Sequence, residues 1–167
     1  SFIAHQEELF EQHKRREDVD QAFFDVDLDG DLDLLVISAG NEFANGSPLQ
    51  PRLYLNQNGN FSFSDLVFPT LNEQFNSIAI ADINQDGYPD IFFGAGVEYT
   101  TFGKSPKSYL FLNNQDYTFT DVTLDYFSTH ELGMIRDAHF KDINQDGLNE
   151  LIVAGYFMPV EIYRLES

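Results

Sequence analysis

The sequence predicts an all-β fold of about three four-stranded antiparallel units, arranged as blades of a β-propeller. Three observations carry this expectation. A nine-residue acidic loop with glycine at its sixth position occurs three times, as Asp25-Val26-Asp27-Leu28-Asp29-Gly30-Asp31-Leu32-Asp33, Asp82-Ile83-Asn84-Gln85-Asp86-Gly87-Tyr88-Pro89-Asp90 and Asp142-Ile143-Asn144-Gln145-Asp146-Gly147-Leu148-Asn149-Glu150. Each copy runs into an apolar, β-prone segment. The copies start 57 and 60 residues apart, and the strands repeat with them: Arg52-Leu53-Tyr54-Leu55-Asn56 corresponds to Tyr109-Leu110-Phe111-Leu112-Asn113. Four strands in about 60 residues make the unit of a propeller blade.

The elements follow in order. Residues 1–20 form a polar N-terminal segment whose apolar points are Phe2, Ile3, Leu9 and Phe10. Within it, 2–6 read as a strand able to join a neighbouring blade, and 7–16 as a loop or single helical turn. Blade 1 takes 21–75. Its strands are 21–26, then 32–38, an almost wholly apolar run suited to a sheet interior, then 52–56 and 61–65. Asn58-Gly59 makes the last hairpin turn, because both residues accept positive φ. Blade 2 takes 76–131, with strands 76–82, 91–97, 108–113 and 117–123. Blade 3 is partial, 132–167, with strands 136–142, 151–156 and 160–165 around a turn at Phe157-Met158-Pro159. Closed propellers have about 4–8 blades. The chain is therefore expected to be a fragment of a larger propeller, or to cover its open blade edges by self-association. Its start at Ser1-Phe2, without Met, also suits a processed piece.

Composition narrows the functional classes. The 167 residues suffice for a real core. The 17 Phe and 8 Tyr argue against disorder. The formal charge is −19, and eleven of the 28 acids stand in the three loops, where they repel one another without a counter-ion. Three divalent ions would bring −19 to −13. The remaining acidity disfavours nucleic acid and anionic membrane surfaces. No apolar run approaches the roughly 20 residues of a membrane helix, so no membrane insertion is expected. With no cysteine, disulfides and thiolate metal sites are excluded.

Oxygen side chains alternating around a glycine turn can converge on one hard cation, and calcium accepts that shell more readily than the smaller, octahedral magnesium. EF-hand loops share the spacing but place Glu at position 12. Here that position is Val36, Phe93 or Val153, inside a strand pattern.

The acidic loops between strands, the apolar Ile91-Phe92-Phe93-Gly94-Ala95-Gly96 and the closing Tyr117-Thr118-Phe119-Thr120-Asp121-Val122-Thr123 resemble FG-GAP/VCBS repeats, the blades of integrin α-chain-type β-propellers. Residues 133–138 and 155–159 are similar to a bacterial secreted branch joined to ASPIC/UnbV domains. The resemblance covers roughly residues 18–165. It implies one Ca²⁺ per loop, up to three, and an extracellular role in binding or adhesion. The implied side-chain ligands are Asp25, Asp27, Asp29 and Asp33; Asp82, Asn84, Asp86 and Asp90; and Asp142, Asn144, Asp146 and Glu150. The backbone carbonyls of Asp31, Tyr88 and Leu148 would complete the shells. Two departures stand out: Asn at position 3 in the second and third loops removes a charge from each, and Glu150 replaces the usual Asp.

The remaining candidates are weaker. His5, His13, His130 and His139 show no zinc spacing, and Ser128, His130 and Glu131 are close only in sequence. In the loop after the second apolar strand, Tyr99, Phe102, Lys104 and Lys107 offer aromatic and basic groups for a protein or glycan ligand. Alternatively, Tyr99 and Phe102 simply pack over the blade edge. Residues 41–50 are the corresponding loop of the first unit. The expected function is a secreted or cell-surface binding module, non-enzymatic, with structural calcium. The alternative is the scaffold of a secreted lyase or hydrolase acting on an extracellular polymer. That reading calls for Arg136, His139 or Tyr163 beside an acid in a central cleft.

Overall fold

A computed structural model of the protein describes residues 7–40, 46–65, 67–96 and 104–165. A short helix, α1 (Glu7–Glu11), precedes three antiparallel sheets. The first comprises β1 (Asp18–Phe24), β2 (Asp33–Ser38), β3 (Arg52–Gln57) and β4 (Asn60–Ser64) in sequential order. The second repeats that order with β5 (Phe75–Ala81), β6 (Asp90–Ala95), β7 (Tyr109–Asn113) and β8 (Phe119–Asp121). The third has three strands, β9 (Met134–Lys141), β10 (Glu150–Tyr156) and β11 (Glu161–Arg164). The expected strand at 2–6 lies outside the described residues.

Alternation along the second sheet makes it the shared wall of two cores. Phe75, Ile91, Phe93 and Phe111 pack with Phe24, Leu35, Ile37 and Leu53 of the first sheet. The opposite face presents Ala79, Phe92 and Leu110 to Ile135, Ala138, Leu151 and Val153 of the third. β6 is buried along its whole length, as a strand covered on both faces requires. Gly94 sets the spacing there: a Cβ at this position would lie 2.6 Å from Ile135 Cγ2.

Equivalent contacts also join the sheets through polar atoms. Asp20 Oδ2 accepts a hydrogen bond from the Ile78 amide (2.8 Å), and Ser77 Oγ accepts one from the Ala138 amide (2.9 Å). Both acceptors stand beside a β-bulge. Val19, Asn76 and Arg136 are the residues skipped in the pairing of β1, β5 and β9.

Some boundaries differ from the sequence expectation, for local reasons. β1 begins at Asp18 rather than 21, because Arg52 and Ser38 pair with the Asp18 carboxylate and the Ile78 amide satisfies Asp20. β8 is shorter than 117–123. Tyr117 has φ 68°, Asp116 turns back onto the Thr118 amide, and Thr123 opens a second helix, α2 (Thr123–Tyr126).

The N-terminal segment lies on the side of the first sheet that faces away from the second. Phe10 meets Tyr54 edge-on at 5.2 Å, and His13 Nδ1 is 2.8 Å from the Tyr54 hydroxyl. The corresponding residue of the second sheet, Phe111, is buried against the first sheet. The helix and its following turn thus cover ground that a preceding sheet would cover elsewhere in the series.

Candidate metal centres and the clefts between the sheets

The three acidic loops share one hydrogen-bond scaffold. Each starts where a first strand ends and returns into the second strand. In each, the position-1 aspartate accepts from the amides of positions 5 and 6: Asp25 from Asp29 (3.0 Å) and Gly30 (2.9 Å), Asp82 from Asp86 (3.1 Å) and Gly87 (2.8 Å), Asp142 from Asp146 (3.2 Å) and Gly147 (2.9 Å). The position-3 oxygen accepts from the position-5 amide, and the position-5 carboxylate from the position-7 amide. These turns require two left-handed residues. Position 4 holds φ 60–64° in Leu28, Gln85 and Gln145, and the glycine at position 6 holds 89–95°.

The position-9 acids are the buried acids of their loops. Asp33, Asp90 and Glu150 are only 1%, 0% and 4% exposed. Each accepts the position-2 amide (Val26 2.9 Å, Ile83 2.9 Å, Ile143 3.0 Å), which closes the loop on itself. Asp33 and Asp90 also accept the amides of Asn56 and Asn113 at the ends of the third strands. Glu150 instead takes the side-chain amide of Asn144 at 2.7 Å. Burial pushes the Asp90 carboxyl up to about 6 against the two amide bonds that favour its ionised form, and it raises Asp33 in the same direction. At position 5 the balance reverses. Donation from the Tyr88 and Leu148 amides holds Asp86 and Asp146 below the usual carboxylate range.

The first loop gathers the most charge. Carboxylate oxygens of Asp25, Asp27 and Asp29 all lie within 4.8 Å of one another. A calcium ion with ligands at about 2.3–2.6 Å fits between atoms so spaced. Asp33 and Asp31 stand outside that group; Asp31 Oδ2 accepts the Asn58 amide at 2.6 Å, which leaves its carbonyl as the position-7 group. In the second and third loops Asn84 and Asn144 turn their amide nitrogens to Asp86 and Asp146, both at 3.1 Å. Arg164 adds an ion pair to Asp146 (3.1 Å), so the third loop carries the least uncompensated negative charge.

The loops are also tied to the neighbouring sheet. Asn113 Nδ2 donates to the Val26 carbonyl (2.9 Å), the Tyr117 hydroxyl donates to Asp27 (3.2 Å), and Gln85 Nε2 donates to the Gly147 carbonyl (3.4 Å). Residues 25–93, from the first loop into the strand after the second, match the family model for the FG-GAP-like repeat. This stretch is an FG-GAP-like repeat. Over 88 residues it is 33% identical to integrin alpha-8 of Gallus gallus, an alignment covering 48% of this chain and 8% of that protein. The likeness to integrin alpha chains is thus distant, and this chain spans about 8% of that relative's length.

Of the other sequence-predicted residues, Tyr99 and Phe102 lie outside the described residues, while Lys104 and Lys107 are exposed. Ser128 and Glu131 line a cavity of about 470 Å³ with Tyr163. His130 pairs instead with Asp121 at 3.2 Å. A second cleft, of about 430 Å³, lies where the three bulges meet and is lined by Val19, Asp20, Asn76, Ser77, Arg136 and Asp137. Arg136 therefore does stand beside acids in a cleft between the repeats, with its guanidinium 5.1 Å over the Tyr156 ring. His139 pairs with Asp137 at an exposed position outside that lining. This cleft was not identified from sequence. Its residues recur at the same 57- and 60-residue offsets as the loops, and that was the available signal.

Proposed function

We propose that this chain is a calcium-stabilised recognition module of a secreted or cell-surface protein, holding a protein or glycan ligand without catalysis. The observation that carries the reading is the common loop scaffold, which in the first loop brings the oxygens of Asp25, Asp27 and Asp29 to calcium-ligand spacing. Asn84 and Asp86, and Asn144 and Asp146, occupy the same places in the other loops, so up to three ions are expected. Each ion would neutralise a loop that closes one sheet and contacts the next. The partial likeness to integrin alpha-8 supports an extracellular setting. No helix among the described residues is long and apolar enough to cross a membrane. Calcium-dependent stability, followed by thermal unfolding in chelator and in calcium, tests the ion half of this reading. Pull-down of glycan and protein arrays with and without calcium tests the recognition half.

A second reading has one observation in its favour. Arg136, Asp20 and Asp137 share the bulge cleft, a combination of cation and acids that a lyase or hydrolase uses. Turnover of extracellular polysaccharides by the chain, abolished in Arg136→Ala, would favour it over the binding module.

A further inference from the structure

A cavity of about 330 Å³ at the outer part of the first sheet brings two guanidiniums together in an otherwise acidic chain. Two of the nine basic Lys and Arg residues, Arg16 and Arg52, line it. Pro51, Phe63, Val67 and Phe68 supply apolar walls. Arg52 is 3% exposed. Its guanidinium reaches Asp18, Ser38 Oγ (3.0 Å) and the Tyr54 hydroxyl (3.4 Å), while its buried Nε has no hydrogen-bond partner among the described residues. Arg16 donates from Nη1 to the Gln50 carbonyl at 3.2 Å. Burial and then the neighbouring Arg52 charge lower its pKa, which marks two guanidiniums held close together. Asp65 also lines the wall and is itself engaged.

The repeat gives this cavity its meaning. In the second unit, Tyr109 stands at the position of Arg52, and Asp121 at the register position of Phe63. The scaffold therefore forms a sheet without this cation and without this wall. An unmade hydrogen bond on a buried donor is costly, and buried donors in native folds generally find partners. A guanidinium presents a planar fork that fits a carboxylate. Phenylalanine side chains beside it favour a flat ring over a hydrated ion.

We propose that the Arg16–Arg52 cavity binds a carboxylate carried on an aromatic ring. The carboxylate meets the two guanidiniums, and the ring lies against Phe63 and Phe68. The site is independent of the acidic loops and of calcium.

Calorimetric titration of the whole chain with phenylacetate, its neutral analogue phenylacetamide, and acetate separates charge from ring. Saturable phenylacetate binding is expected, at least about tenfold tighter than that of either comparison compound. Arg16→Gln is expected to weaken phenylacetate by a similar factor, with Arg16→Lys in between, while calcium binding stays unchanged. Amide chemical-shift changes should centre on Phe63 and Phe68. Absence of saturable phenylacetate binding overturns the proposal, as does equal binding of phenylacetamide or undiminished binding by a folded Arg16→Gln. If Arg16→Gln does not fold, the acid–amide comparison on the unmodified chain decides.

Discussion

The side-chain amide of Asn113 donates 2.9 Å to the backbone carbonyl of Val26, 87 residues earlier in the chain. Val26 lies inside the first acidic loop, and Asn113 ends the third strand of the second sheet. The same Asn113 donates its backbone amide to Asp90 and its side-chain amide to Pro89 O, in the second loop. One buried asparagine therefore joins two candidate ion sites. Asn56, its counterpart in the first sheet, makes the within-sheet contacts to Asp33 and Leu32.

Replacing Asn113 by Ala is expected to cost about 2 kcal/mol, because buried carbonyls lose their donor. Asn56→Ala, at a more exposed position, should cost less than half of that. Urea unfolding of both variants in calcium checks the order.

Two glycine substitutions should separate loop chemistry from sheet packing. At Gly87, φ is 93° and an added Cβ meets nothing within 4 Å, so Gly87→Ala acts through backbone strain of about 1 kcal/mol. It should weaken the ion at the second loop. Gly94→Ala would press on Ile135 and destabilise the fold while ion affinity in the folded protein is kept. Calorimetry paired with thermal melts distinguishes the two.

Much of this loop behaviour was legible in the sequence, because the requirements are local. Oxygen side chains alternating at positions 1, 3 and 5 and a glycine at position 6 are all specified within nine residues. The Asn58-Gly59 turn, with φ 53° and 86°, was legible for the same reason. What could not be read depends on partners brought together by sheet packing. Asp18 and Asp20 look like loop residues until Arg52 and the Ile78 amide are placed against them. The position-9 acids look equivalent to the other ligands until the backbone amides that hold them are seen. The Arg16–Arg52 cavity and the cleft around Arg136 likewise join distant segments, and no local pattern announces either.

The loops should fill in order. The first has five acids, the second three, and the third three with Arg164 paired to one. Calcium titration followed by amide NMR is expected to move Gly30 before Gly87, with Gly147 last. Arg164→Gln should tighten the third site about twofold, the scale of an exposed ion pair.

The buried Asp90 sets a pH dependence. Its folded value, about 6, lies above the ordinary aspartate value near 3.8. In chelator, its contribution to stability is therefore greatest below the unfolded value and is lost as pH rises through about 6. Carbon-13 NMR of the Asp90 carboxyl should give a midpoint near 6 without calcium. The midpoint should fall when calcium is added, because a nearby cation favours the ionised form.

The most direct test of the account is thermal unfolding of the whole chain in chelator and in millimolar calcium. Ions held by the folded loops and not by the unfolded chain add about 2.7 kcal/mol per site at a hundredfold excess over Kd. A rise in Tm of at least about 5 °C is therefore predicted for one filled site. The rise should shrink when Asp25→Ala and Asp82→Ala are combined. An unchanged Tm in the two buffers would contradict the claim that these loops hold calcium to stabilise the sheets.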